Sequence, residues 1–394
     1  MDARVIIYNK FIKPFEKKNA GHIGVELEFP VVNLEEKNTD VSFVASVLPF
    51  LEEKGFKCVL FGENGEKLFM ENEAGDSLSF DNSYNNFEFA MNHGDNLLDI
   101  YNRFTEYFDI VQTYLKKQNH TLAGCGTNPN YKNLQVNHVP FSTYNMVQNY
   151  LSNYGGKHNY PDFPAFISSV QTHIDVSVDL LPRAYTIFSK MDFVRGILFH
   201  NSPDFDGAGH RIYRDYLWQE SAFGQCPNIT GTVDESFETV DDILEFFLDK
   251  GLFNRIRDGK YETFTPTPIR EYFKVDAKEE DIDCYLSFRN TEITSRGTLE
   301  IRSDCTQKEG SFFSPPAFNL GILHEIDKAE ACLNSFFERN NVTMKNSELR
   351  KIVASGEPLE KIASKEELDR LCSDMKKIAL DALVKRGKGE EILL

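Results

Sequence analysis

Glu26 and Glu28 stand in the run Ile23-Gly24-Val25-Glu26-Leu27-Glu28-Phe29, where apolar Val25, Leu27 and Phe29 alternate with Gly24, Glu26 and Glu28. A period of two is the signature of a β-strand, and it puts both carboxylates on one face, roughly 6.5–7 Å apart. Taken alone, the pair describes a solvated outer strand as well as it describes a cation site. Three other segments repeat the pattern. Glu88 opposes Phe87, Phe89 and Met91. In Ser169–Val178, one face is Ser169, Gln171, His173, Asp175 and Ser177, and the other is Val170, Thr172, Ile174, Val176 and Val178. In Thr298–Asp304, Leu299 and Ile301 oppose Glu300, Arg302 and Asp304. A solvated sheet face carries Lys and Thr about as often as Glu. These polar faces carry mainly carboxylates with His173, Gln171 and Arg302, and no Lys. Such a selection suits hard cations and phosphate.

With Asp81, which comes just after Ser79-Phe80, the face gathers Glu26, Glu28, Asp81, Glu88, His173 and Glu300, and Arg302 lies alongside. Carboxylates this crowded in a low-dielectric cleft repel at on the order of several kcal/mol per close pair. Two or three divalent cations would neutralise them. Oxygen ligands with a single imidazole favour Mg²⁺ or Mn²⁺ over zinc, which takes more His and Cys. Several Mg²⁺ ions beside an arginine are the equipment for phosphoryl transfer from a nucleotide. No Walker A motif, kinase glycine-rich loop, Rossmann fingerprint or readable Ser/His/Asp spacing accompanies the cluster, and Gly124 and Gly126 are too sparse for a phosphate loop.

The elements that must position these residues are legible from periodicity. Val41 to Lys54 has helical spacing and stops at Gly55. Turns at Gly62–Gly65 and Glu73–Gly75 predict a hairpin region leading to Asp81, and a polar aromatic loop joins Asp81 to Glu88. Asn96 to Lys117 is an amphipathic helix whose aromatic stripe reads as core. Ala123–Pro129 reads as a strand entering a turn, Tyr144–Leu151 as a short helix, and Gly155–Pro164 (with His158 and Pro161) as a loop. Further helices are expected over Pro182–Phe199, Asp241–Leu248 and Phe318–Phe337, with two more in the last 45 or so residues. Asp204–Arg214 reads as a polar loop, Lys260–Thr267 as extended and Asp276–Asp283 as a solvated connection. No repeat or linker divides the chain. The expected fold is α+β, one domain over residues 1–394, with an antiparallel β-sheet, helices on its apolar face and a polar cleft on the other.

Composition narrows the partners. Among 394 residues, 43 basic against 61 acidic side chains leave a formal charge of −18, which disfavours nucleic acid and anionic membranes. An anionic substrate therefore needs cations or local arginines. The seven cysteines are scattered without C-x-x-C spacing and read as reduced thiols. Arg4, Lys10 and Lys13 interrupt the opening apolar run, so no signal peptide is expected, and no segment is long enough to span a membrane. A cytoplasmic monomer or homodimer is the expectation.

Read in order, these segments resemble glutamate–cysteine ligases of the plant and proteobacterial type, in the carboxylate–amine ligase superfamily. The resemblance is carried by Ile23-Gly24-Val25-Glu26-Leu27-Glu28, Gly126-Thr127-Asn128-Pro129 and Tyr144-Asn145-Met146 with Tyr150-Leu151. It continues through Ser169–Asp175, His200-Asn201-Ser202-Pro203, Tyr213-Arg214 with Leu217-Trp218, and Leu299–Asp304, to Lys385-Arg386-Gly387 in the tail. It implies a glutamine synthetase-like fold and ATP-dependent formation of γ-glutamylcysteine through γ-glutamyl phosphate, with ATP as co-substrate. It also implies metal ligands at Glu26, Glu28, Glu88, His173 and Glu300, with Asp81 in a slot usually held by Glu. Arg302 would meet the transferring phosphate, with Glu300 beside it in catalysis, and Arg214 and Gln171 would bind the acidic substrate. Two departures stand out. Asp81–Asn86 replaces a Glu-Pro-Gly-Gly-Gln-like run, and Thr143 stands where an Arg is usual. Both bear on substrate identity, leaving open another amine, service to a different thiol pathway such as ergothioneine, or a non-catalytic regulator on the same fold.

Overall fold

The computed structural model describes residues 2–16, 21–158, 160, 162–275 and 277–394. Pro161 of the expected loop and Asp276 of the acidic connection lie outside them. Thirteen strands are described: β1 Ile23–Asn33, β2 Lys57–Phe61, β3 Lys67–Glu71, β4 Ser77–Phe80, β5 Asn86–Gly94, β6 His120–Leu122, β7 Ser169–Ile174, β8 Thr230–Gly231, β9 Gly251–Arg257, β10 Lys260–Pro268, β11 Phe288–Arg289, β12 Thr291–Ile293 and β13 Leu299–Cys305. Nine of them form one antiparallel sheet in the order β12-β13-β7-β1-β5-β4-β3-β2, with β6 paired to the far half of β1. The strand bearing Glu26 and Glu28 is thus central, flanked by the strands bearing Glu88 and His173.

The alternation in the sequence sorts the two faces. Val25, Leu27 and Phe29 are wholly buried, and Phe29 packs on the helix Leu97–Leu115, its ring centroid 5.2 Å from that of Phe108. That helix buries Leu97, Ile100, Phe104, Phe108, Val111 and Leu115, spaced three or four residues apart, and Asn96 caps it by accepting from the Leu98 N–H at 2.9 Å. The helices Leu181–Lys190, Asp192–Phe199 and Ser314–His324 cover the same apolar face further along. A smaller aromatic cluster, with Tyr150, Tyr213, Phe223 and Phe253, joins the helix Ser142–Tyr154 to the β9–β10 hairpin. The expected antiparallel sheet with helices on its apolar face is what the chain forms.

Several boundaries differ from the periodicity. The predicted helix Pro182–Phe199 is two helices broken at Met191, and Phe318–Phe337 lies across two helices broken at Glu325. The strand expected over Ala123–Pro129 is absent, because β6 stops at Leu122 and the chain beyond it turns. Tyr213–Gln219 is helical, so the polar loop stops short of Arg214. The acidic connection is not simply solvated, because Asp281 is buried beneath Arg257. The correction that touches the site concerns Asp304. Register on β7 runs Glu300↔His173 and Ile301↔Thr172, then jumps to Asp304↔Val170, so β13 carries one extra residue. A bulge of this kind reverses the facing of everything after it. Asp304 therefore points among the helices, where Asn319 donates to it at 3.1 Å, and not into the cleft beside Arg302.

Candidate active site

Strand pairing lays out the polar face in rows. Glu28 is directly opposite Glu88, Glu26 opposite Gln171, and Glu300 opposite His173. Asp81 lies just past the end of β4 and enters from the side. The result is two triads. Glu26, His173 and Glu300 each offer a ligand atom, all within 4.8 Å of one another, and Glu28, Asp81 and Glu88 do the same. All six residues expected to ligate metal are thus brought together on one face. His173 Nε2 lies 3.0 Å from Glu26 and 3.5 Å from Glu300, and Thr298 Oγ1 lies 3.3 Å from its Nδ1. Arg302 donates to Glu300 at 2.8 Å.

Gln171 and Arg214 also reach this face. The Gln171 amide donates to Glu28 at 2.7 Å, and the Ser169 N–H donates to the other Glu28 oxygen at 2.8 Å. Arg214, buried at the start of its helix, acts electrostatically on Glu28.

The triads differ in charge balance. Burial would raise the Glu26 carboxyl, yet His173, Arg296 and Arg302 hold it down at about 2. The second triad has less cationic help. Burial pushes Glu28 up despite Arg214. Asp81 is driven to about 7 by burial and then by the Glu28 charge, against a hydrogen bond from Tyr144. Glu88 lies well above the carboxylate range, through burial and the charges of Glu26, Asp81 and Glu28. Carboxylates pressed together out of water are the chemistry a divalent oxygen-seeking cation relieves, so the donor set fits Mg²⁺ or Mn²⁺ at both triads.

The cleft continues in both directions along the strands. Beside Glu26 and His173 it opens into a cavity of about 660 Å³ whose walls include His22, Met91, His93, Asp175 and Arg296. At the opposite end, buried polar atoms lack partners: Asn82 Oδ1, Asn86 Nδ2, Ser169 Oγ, Gln171 Oε1 and Arg214 Nε. Unpaired groups of that kind are costly unless something binds there.

Two residues of the site are not evident in the sequence. Arg296 sits on the turn between β12 and β13, with Nη2 3.5 Å from Glu26 and 3.4 Å from both ring nitrogens of His173. The turn itself is pinned, because a Cβ on Gly297 (φ +81°) would come within 2.9 Å of Pro14. Tyr144 belongs to a segment that stands out in the sequence, but nothing there marks it as the partner of Asp81. Its helix begins two residues earlier than expected, at Ser142. Thr143, at the other departure, lies 3.0 Å from the Tyr261 hydroxyl of the hairpin.

Three similar solved structures are a bifunctional glutathione synthetase from Pasteurella multocida (12% identity, TM-score 0.45), a glutamate–cysteine ligase from Francisella tularensis in complex with AMP (13%, 0.46) and GmaS without ligand (12%, 0.34). The match covers 100%, 96% and 98% of this chain and 53%, 83% and 72% of theirs, so the chain spans about half the length of the bifunctional enzyme. No curated protein sequence matches. Residues 22–346 match the model of glutamate–cysteine ligase family 2, from just before Glu26 to well past Arg302, and the chain belongs to that family.

Proposed function

We propose that this protein is an ATP-dependent ligase that joins L-glutamate to L-cysteine through γ-glutamyl phosphate. The observation that carries the reading is the pair of adjacent ligand triads on one buried sheet face, with Arg302 on the same face, in a chain of this family. The nucleoside of ATP fits the 660 Å³ cavity, which leads its phosphates toward Glu26, His173 and Glu300. Glutamate takes the other end, its carboxylate drawn by Arg214 and its backbone groups by the unpartnered amides of Asn82 and Asn86. Mg²⁺ held by the two triads would neutralise the polyphosphate and the developing charge as the γ-phosphoryl moves. Arg302, a planar donor already aligned by Glu300, steadies the phosphoryl oxygens. The amine nitrogen then attacks the acyl carbon, the carbon–oxygen bond to phosphate breaks, and the amine proton leaves with phosphate or water. Glu28 and Glu300, both buried, border a part of the cleft from which water is largely excluded, which would protect the intermediate from hydrolysis.

Cysteine as the amine rests on family membership. The test is product mass after incubation with ATP, Mg²⁺, glutamate and an equimolar mixture of amines. A dominant γ-glutamylcysteine peak is expected. A different γ-glutamyl amide keeps the mechanism and replaces the substrate, in line with the altered Asp81–Asn86 loop and Thr143. ATP turnover indifferent to glutamate removes both.

A further inference from the structure

Behind the sheet, away from the cleft, lies a buried ionic cluster that the proposed reaction does not use. Arg350, 1% exposed, forks onto Asp215 with bonds of 2.6 and 3.2 Å. It also donates to the backbone carbonyls of Asp192 at 2.9 Å and Ser303 at 3.2 Å. Asp192, equally buried, accepts from Arg195 at 2.6 Å, from the Ser303 hydroxyl at 2.7 Å and from Asn290 at 2.7 Å. Arg195 reaches the Ser303 hydroxyl as well, at 3.1 Å. Arg350 is built in closely. A Cβ on Gly196 would lie 2.7 Å from its Nη1.

Two features of this cluster bear on the cleft. Asp215 comes next after Arg214, and Ser303 next after Arg302, so two of the three residues that Arg350 grips are chain neighbours of a cleft arginine. Ser303 also sits in the bulge that decides which way β13 side chains face. Desolvating several charges is a poor route to stability, since apolar residues of similar volume do as well or better. The best-attested use of buried charge is to fix register. Here the register in question is the one that sends Arg302 forward and Ser303 and Asp304 back.

We propose that Arg350 is a positioning residue of the active site, holding Asp215 and the β13 bulge so that Arg214 and Arg302 converge on Glu28 and Glu300. It belongs to the helix Asn346–Ala354, beyond the last residue matched to the family, so family membership alone does not assign it. The proposal rests on the ligase reading, in which Arg214 binds the acid and Arg302 the phosphoryl group. Small misplacements by residues outside the chemistry cost on the order of 10²-fold in rate, which sets the scale expected.

The test compares Arg350→Lys, Asp215→Asn and Gly196→Ala with Asp281→Asn, which cuts a buried arginine–aspartate contact in the β9–β10 region. Thermal melts are recorded beside glutamate KM and kcat for ATP-dependent phosphate release. Asp215→Asn is expected to raise glutamate KM about tenfold or more with kcat within about threefold. Arg350→Lys loses the fork, and Gly196→Ala pushes it aside; both are expected to lower kcat as well, with kcat/KM down by about 30-fold or more. Asp281→Asn is expected to lower the melting temperature and leave both constants alone. If the Arg350 and Gly196 variants melt lower but keep wild-type KM and kcat, the cluster is structural and the proposal falls while the ligase reading stands. A wild type whose turnover ignores glutamate removes the ligase reading, and this one with it.

Discussion

Glu28 and Glu300 are both almost wholly out of water but in different company, Glu28 against Asp81 and Glu88, and Glu300 against His173 and Arg302. Glu28→Ala or Glu300→Ala is expected to abolish divalent-dependent ATP turnover and to leave a cooperative melt, since both side chains face the cleft and not the apolar core. Survival of turnover in either variant would separate the triads from the chemistry. Arg302→Lys keeps a charge but loses the planar fork, and a fall in kcat of about 10²-fold or more is expected from removing a preorganised donor. Equal turnover would reduce Arg302 to a structural partner of Glu300. Arg296 is expected to act on the nucleotide side. Its side chain is about two-thirds exposed at 63% and borders the cavity, so Arg296→Ala should weaken ATP about tenfold in a competition assay and leave glutamate KM unchanged. A reversed pattern would place the nucleotide elsewhere. Protons report on the same site. In chelator-treated protein Asp81 sits at about 7, raised by burial and by Glu28, against an unfolded value of about 3.9. Between those values the fold holds a proton that the unfolded chain has released, so this contribution is full below about pH 4 and is lost progressively as pH rises to about 7. The melting temperature in EDTA should drop between about pH 4 and pH 7 and level off above, and Mg²⁺ should narrow the difference. A flat profile in EDTA would mean that Asp81 is ionised throughout.

At the scale of elements, what could be read in the chain tracked the strength of its periodicities. The four strands bearing the carboxylates were legible because apolar and polar residues alternate without a fault through Phe29, Met91, Ile174 and Ile301. That alternation carried five of the six ligand positions and Arg302 with it, while Asp81, past the end of β4, lay outside it. It failed at Asp304, where one additional residue resets the face with no glycine or proline to mark it. The helix breaks at Met191 and Glu325 were hidden for the same reason, since neither residue interrupts an apolar stripe. Arg296 was missed because its turn is set by a tertiary contact with Pro14, and Tyr144 because nothing in its own segment shows that the distant Asp81 comes to lie beside it. The Asp81–Asn86 loop shows how a departure from a family pattern is absorbed. Asn85, itself wholly buried, donates to the carbonyls of Gln135 at 2.7 Å and Val136 at 3.1 Å and accepts from Thr39 at 2.6 Å. Asn85→Ala is expected to destabilise by about 1–3 kcal/mol, because it leaves those partners unpaired. A urea titration measures this, and a change under about 0.5 kcal/mol would show that water replaces the amide.

For the molecule as a whole, any cation taken up by the triads would be linked to folding. A cation that binds the folded triads and not the unfolded chain adds about 2.7 kcal/mol when present at 100 times its dissociation constant. The two triads, however, are built from different reaches of the chain. Glu28, Asp81 and Glu88 all lie within β1, β5 and the segment after β4, so that triad is assembled from the first 94 residues. Glu26, His173 and Glu300 come from strands separated by well over a hundred residues each, and β7 and β13 must both dock before they meet. Contacts of long sequence separation form late. During synthesis or refolding, the second triad can therefore gather its carboxylates, and a cation, while the first is still three isolated side chains. A luminescent lanthanide added to a refolding reaction would take up its ligands in two steps, the slower coinciding with the arrival of β13. Two triads that sit side by side in space are thus expected to form at different times, the one completed by β13 after the one built from β1 and β5.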